Sequence, residues 1–299
     1  MKTRLVSCLS LSLALSLSLA GLAACAAPVA APEAATEAAT ETAPVPGLEK
    51  LWTAENFLAP EGVVQLPDGN YLVSNVGTDD GAEKNGDGYI LKISPDGALI
   101  ERYWAAKVNG PKGLALMDGT VYAADIDAVV LFDAGKGGLG EKIRVGGAVF
   151  LNDVTVWNGA VYVSDSGTAR IYRIEDGAAT VWLEDRRLDG VNGVLGDGDR
   201  LLAVTMATGS LYSLSATGEF TQIATGMHNA DGIALIPGGG YLVSSWPGQI
   251  YFVSEAGEVT LLADTSADGI QQNDLTGFGD TVIVPNWEPG TVTAWKVVR

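Results

Sequence analysis

Leu151-Asn152-Asp153-Val154-Thr155-Val156-Trp157-Asn158-Gly159-Ala160-Val161-Tyr162-Val163 is the stretch from which the fold can be read. Two short apolar runs flank an Asn-Gly dipeptide, the pattern of two antiparallel strands joined by a tight turn. Its opening residues recur at about forty-residue intervals as Pro60-Glu61-Gly62-Val63, Pro111-Lys112-Gly113-Leu114, Val191-Asn192-Gly193-Val194, Ala230-Asp231-Gly232-Ile233 and Gln272-Asn273-Asp274-Leu275. Each recurrence is followed by an apolar run, a Gly-rich turn and a second apolar run, which makes six copies of one hairpin. The equivalent residue in the six copies reads Glu61, Lys112, Asn152, Asn192, Asp231, Asn273.

A second set of turns, at Pro95-Asp96-Gly97, Asp176-Gly177, Thr217-Gly218 and Ala256-Gly257, divides the remainder of each unit into two more strands. Short β-branched and aromatic runs dominate from Leu48 onward, and no helix of ordinary length is predicted. Four-stranded units repeating at this period predict an all-β protein, a six-bladed β-propeller. The last unit supplies only three strands, ending in Val292-Thr293-Ala294-Trp295-Lys296-Val297. Glu49-Lys50-Leu51-Trp52-Thr53, ahead of the first unit, resembles the outer strands elsewhere and is expected to close the final blade, leaving no open seam.

In a propeller the innermost strand of each blade lines the central channel, so the six equivalent residues are expected to converge on the axis from one face. The second strands end on that face as well, at Asn75-Val76, Asp125-Ile126, Asp165-Ser166, Thr205-Met206, Ser245-Trp246 and Asn286-Trp287. Met206, Trp246 and Trp287 fall on one side and would form an apolar wall for an organic ligand. The spacing from Glu61 to Lys112 is 51 residues where the next three are 40, 40 and 39. The excess is the polar stretch 77–88, whose ligand spacing is not that of an EF-hand and which reads as a solvated loop, with a lid or an extra cation site as alternatives.

The chain of 299 residues is 47% hydrophobic, enough for a sizeable core. Thirty-six acidic residues against 18 basic ones give a net charge of -18, which disfavours nucleic acid and anionic lipid as partners. Both cysteines, Cys8 and Cys25, fall in the first twenty-five residues, so the propeller carries no disulfide; the single histidine, His228, excludes zinc sites built from several imidazoles. Residues 1–24 read as a signal peptide, with Lys2 and Arg4 ahead of a Leu/Ser/Ala run. Leu22-Ala23-Ala24-Cys25 resembles the lipobox of bacterial lipoproteins, which implies acylation of Cys25 and an exported, lipid-anchored protein; the alternatives are a plain cleaved signal or a short retained anchor. Residues 25–47, almost wholly Ala, Pro, Glu and Thr, read as a tether, and 48–299 as the propeller.

Glu61, Asn152, Asn192 and Asp231 offer two carboxylates and two amide carbonyls, a hard-oxygen set suited to one divalent cation: calcium first, then magnesium or manganese. Asn-Gly, Asn-Asp and Asp-Gly are also ordinary turn dipeptides whose side chains cap their own backbone. Turn chemistry alone does not call for glutamate in the first copy.

On these residues the region from Leu48 to Arg299 resembles the senescence marker protein/gluconolactonase (LRE-like) family and the related paraoxonases. That resemblance implies a divalent ion in the channel mouth and hydrolysis of lactones or related esters. It matches Glu61 to the first-blade glutamate ligand, Asn152 to the third-blade asparagine, Asn192 to the fourth-blade asparagine and Asp231 to the later aspartate. Lys112 stands where paraoxonases have a histidine, so no histidine mechanism is implied. Gly62 stands where they have an aspartate ligand of a second calcium, although Asp153 is retained. The expectation is an exported lactonase acting on a small molecule, with Asp231 holding the ion and taking a proton. Lys112 would act as a cation beside the developing oxyanion, or else as a solvated lysine paired with Glu61. The rivals are a non-catalytic propeller that binds a small ligand or protein, and a strictosidine-synthase-like enzyme without a metal.

Overall fold

In a computed structural model of the protein, residues 44–78 and 80–299 are described. The expected signal segment, Cys25 and the tether as far as residue 43 lie outside them. Among the described residues the only helical elements are two short 3-10 turns, at Arg186–Leu188 and Ser266–Asp268. The strands form six antiparallel sheets, five of them simple four-strand meanders in chain order. The innermost strands are Pro60–Gln65, Pro111–Met117, Leu151–Trp157, Val191–Asp197 and Ala230–Leu235; in the sixth blade the inner strand is broken into Gln271–Gln272 and Thr276–Phe278.

The hairpin turns are made as their sequences demand. Asn158 and Gly159 both have positive φ, at 47° and 72°, the backbone of the two-residue turn that matches the twist of its flanking strands. The sixth blade is closed by Gly47–Glu55, which runs antiparallel to Thr291–Val298 from Gly47 opposite Val298 to Glu55 opposite Thr291. This is the expected closure, beginning one residue earlier than the boundary read from the sequence. The ring is thereby sealed by strand pairing between the two ends of the domain.

The core lies between the blades. Leu72, Ile90 and Trp104 of blade one pack on Val121, Val130 and Phe132 of blade two, and equivalent clusters join each later pair. The last joins Ile283, Val292 and Ala294 of blade six to Val73 and Leu91 of blade one. Burying both faces of every sheet makes the blades a rigid frame, which is what a site of convergent side chains requires.

Candidate metal centre

Each of the first five inner strands carries a β-bulge at the residue that matters. In blade one Pro60 pairs with Asn75 and Val63 with Val73, so Glu61 and Gly62 together face Ser74. The same slip occurs at Lys112, Asn152, Asn192 and Asp231. A bulge leaves one residue unpaired and re-aims its side chain, and here it turns five strands toward the channel in the same way. In blade six the break in the inner strand does the equivalent work, with the Asn273 amide donating to the Pro285 carbonyl at 2.9 Å. The unpaired amide is caught by a serine of the second strand in alternate blades. The Gly62 N–H donates to Ser74 Oγ at 2.7 Å, that of Asp153 to Ser164 Oγ at 2.9 Å, and that of Gly232 to Ser244 Oγ at 2.8 Å.

The six residues line one cavity of about 310 Å³, together with Met206, Trp246, Trp287, Phe150 and Asp80. The six ring residues and the three expected wall residues are thus brought together. Glu61, Asn152, Asn192 and Asp231 are at most 5% exposed. Among the described residues, Glu61 Oε2, Asn152 Oδ1 and Asp231 Oδ1 are buried without a hydrogen-bond partner. The amides are held from the side. Asn152 Nδ2 donates to Ser166 Oγ at 3.2 Å, and Ser166 in turn to the Val191 carbonyl at 2.6 Å. Asn192 Nδ2 lies 3.4 Å from the Met206 sulfur. With the NH₂ ends spent on neighbours, the carbonyl oxygens are left to the cavity.

Three buried acceptors from three blades, two of them carboxylates, are costly to leave unmade, and a hard cation would satisfy all of them. The donor set would fit a divalent ion, which Glu61, Asn152, Asn192 and Asp231 would hold. Without an ion, burial pushes the Asp231 carboxyl up to about 7, with the charge of Asp153 adding to the effect. Burial first, then the charges of Asp231 and Asp153, hold Glu61 well above the usual carboxylate range, with Lys112 pulling the other way.

Lys112 is 3% exposed and so not a solvated lysine. Its ammonium donates to the carbonyls of Gly81 at 3.0 Å and Gly110 at 3.2 Å and lies 4.2 Å from the Phe150 ring centroid. An oxyanion role would compete with these bonds. Their effect is to tie the 77–88 loop to blade two, where Lys84 also pairs with Asp127 at 2.6 Å. Within the loop Asp80 caps the Ala82 N–H and Asn85 the Asp87 N–H. The stretch read as solvated is therefore pinned at both Gly81 and Lys84, because a buried lysine needs acceptors and the loop's carbonyl supplies one. It brings Asp80 to the cavity.

The second-strand ends divide into two kinds. Asn75, Asp125 and Asp165, fully buried, do not line the cavity; they accept backbone N–H groups of the incoming loops, from Leu58, from Asn109 and Gly110, and from Val149 and Phe150. In blades four to six the next residues, Met206, Trp246 and Trp287, form the apolar side, with the two indoles edge to face at 6.0 Å. Phe150 and Asp80 were not found from the sequence. Phe150 precedes the recurring pattern by one residue, and its counterparts in other blades are not aromatic; Asp80 is one acid among several in a polar loop.

No family model matches the chain, and no curated protein does. Among solved structures it is similar to a candidate gluconolactonase at 19% identity and a TM-score of 0.62, over 86% of this chain and 95% of that one. The PQQ-bound aldose sugar dehydrogenase of Streptomyces coelicolor is similar at 15% identity and a TM-score of 0.63, over 85% and 99%. Virginiamycin B lyase of Staphylococcus aureus follows at 12% and 0.60, over 85% and 100%. At these identities the likeness is one of fold, and three different chemistries share it.

Proposed function

We propose that the protein is a divalent-metal-dependent hydrolase of lactones or related esters, exported and held at a membrane through acylated Cys25. The observation that carries the catalytic part is the set of three unpartnered buried oxygens, on Glu61, Asn152 and Asp231, at the floor of an open cavity. A resident calcium, magnesium or manganese ion would supply Lewis acidity toward an ester carbonyl and acidity to a bound water. Glu61 and Asp231 balance its charge, while Asn152 and Asn192 add neutral donors. Asp231, a carboxylate lining the cavity, is the group to take the proton that the attacking water gives up, which then passes to the alkoxide as the ester bond opens. Met206, Trp246 and Trp287 hold the organic part of the substrate, and Lys112 fixes the loop that faces them.

The test is a panel of aldonolactones, simple γ- and δ-lactones and aryl esters. Hydrolysis is expected, abolished by chelator and restored by added calcium, magnesium or manganese. Asn152→Ala and Asp231→Ala should lose it by orders of magnitude while remaining folded. A folded, metal-loaded protein that turns over no member of the panel would give way to the non-catalytic binding module. Cys25→Ser should release the protein from membranes; equal retention, with fatty-acid label on neither form, contradicts anchoring.

A further inference from the structure

We infer that the ligand of this cavity carries a positive charge on its organic part: an ammonium-bearing lactone or ester rather than a neutral one. The inference rests on the proposed metal floor only for where the reacting carbonyl lies. Its own support is the mouth. Trp246 and Trp287 meet edge to face, at 89° with centroids 6.0 Å apart, and both are half-buried and line the cavity. An indole face at the rim of a cavity is where a compact organic cation is held, because the ring's negative quadrupole face attracts the charge.

Charge at the mouth has the matching sign. Asp80 is exposed and lines the cavity from the 77–88 loop, which leans on blade two. In a six-bladed ring blade two stands across the axis from blade five, and so across from Trp246. Lys112 is the one basic side chain among the described residues lining the cavity. It is buried, its ammonium turned onto two backbone carbonyls and the Phe150 face, so the exposed charge at the mouth is that of Asp80. The Lys112–Phe150 contact also shows an ammonium on an aromatic face within this cavity. The wider field agrees, since a net charge of -18 raises the local concentration of cations around the mouth.

The probes are choline and its neutral isostere 3,3-dimethyl-1-butanol, titrated by calorimetry into calcium-loaded protein. Calcium is kept present so that Glu61 and Asp231 are occupied and do not draw the cation to the floor. Choline is expected to bind about tenfold or more tightly than the alcohol. Trp246→Leu should remove that preference, Trp246→Phe should keep most of it, and Asp80→Asn, an exposed change that leaves folding intact, should weaken choline several-fold and the alcohol not at all. Equal binding of the two probes, no binding of either, or full choline preference in Trp246→Leu overturns the inference. Hydrolysis is not read in this experiment. Choline binding without turnover of any lactone or ester removes the hydrolytic proposal alone, whereas turnover of neutral lactones with no cation preference removes this one alone.

Discussion

Two layers of acid lie one residue apart along the channel, and they differ in what their oxygens touch. Asp231, in the upper layer, has a buried Oδ1 with no partner among the described residues. Asp153, one residue deeper along its strand than Asn152, accepts from the Val154 N–H at 2.7 Å and, across the channel wall, from the Val194 N–H at 2.7 Å. Asp274 likewise takes the Leu275 N–H at 2.7 Å. Burial pushes the Asp231 and Asp153 carboxyls alike up to about 7, the backbone bonds working against it at Asp153, and holds Asp274 well above its ordinary value. Burial and raised pKa are common to both layers. What separates them is whether the chain supplies its own donors, and that difference marks the lower layer as a brace between blades and the upper as a site for something else.

The comparison is broken most sharply from above. Asp231→Ala should weaken metal binding by on the order of 100-fold or more, since even loss of a residue that merely supports a ligand costs 10–100-fold. Ion titration by calorimetry measures it, and an affinity within a few-fold of wild type contradicts the division. Next comes crowding of the lower layer. A Cβ at Gly232 would stand 2.0 Å from Asp274 Oδ1 and 2.4 Å from the Leu275 nitrogen, and one at Gly113 would stand 2.3 Å from Asp153 Oδ1 and 2.6 Å from its Cα. Either Gly→Ala change should cost about 1–3 kcal/mol by denaturant unfolding, the carboxylates being forced off their donors. Asp153→Ala should cost about 1–3 kcal/mol for each N–H it orphans, yet leave metal affinity within about threefold.

The two layers also share a pH dependence that metal should divide. Without an ion, the folded protein keeps Asp231 and Asp153 protonated up to about 7, while in the unfolded chain such groups lose their protons near 4. Between those values the folded state binds more protons, so stability falls as pH rises from about 4 to about 7, and the loss is complete above that window. Thermal unfolding in chelator should therefore show a lower midpoint at pH 8 than at pH 5, and saturating calcium should recover most of the difference through the upper layer alone. The smallest effect belongs to the bulge serines. Ser164→Ala removes the acceptor of the Asp153 N–H and the donor to the Asn192 carbonyl, and should cost about 1 kcal/mol by denaturant unfolding.

The fold was legible because its signal is repeated. Six recurrences of one hairpin outweigh the ambiguity of any single apolar run, and the orphan strand at Glu49–Thr53 was identifiable by its likeness to other outer strands. The ring positions were legible for the same reason, since equivalent places in equivalent blades must converge. The bulges that aim them were not, because a bulge depends on register between two strands, and the serines that stabilise three of them look like ordinary strand residues. Nor could the sequence separate Asn75, Asp125 and Asp165, which staple loops, from Met206, Trp246 and Trp287, which line the cavity. Both sets occupy the ends of second strands, and only packing assigns one inward to backbone and the other to the mouth. Lys112 lines the cavity, but one of its acceptors, the Gly81 carbonyl, lies on a loop 31 residues earlier, a contact no local pattern encodes.

The most direct measurement is native mass spectrometry of the propeller from residue 44 onward, purified and dialysed against metal-free buffer, as wild type, Asp153→Ala and Asp231→Ala. The account predicts one divalent ion in the wild type, one in Asp153→Ala and none in Asp231→Ala, all three folded by circular dichroism. A wild type that holds no ion, or an Asp153→Ala protein that loses it as fully as Asp231→Ala, contradicts the central claim that the unpartnered upper layer is a metal centre and the self-satisfied lower one is not.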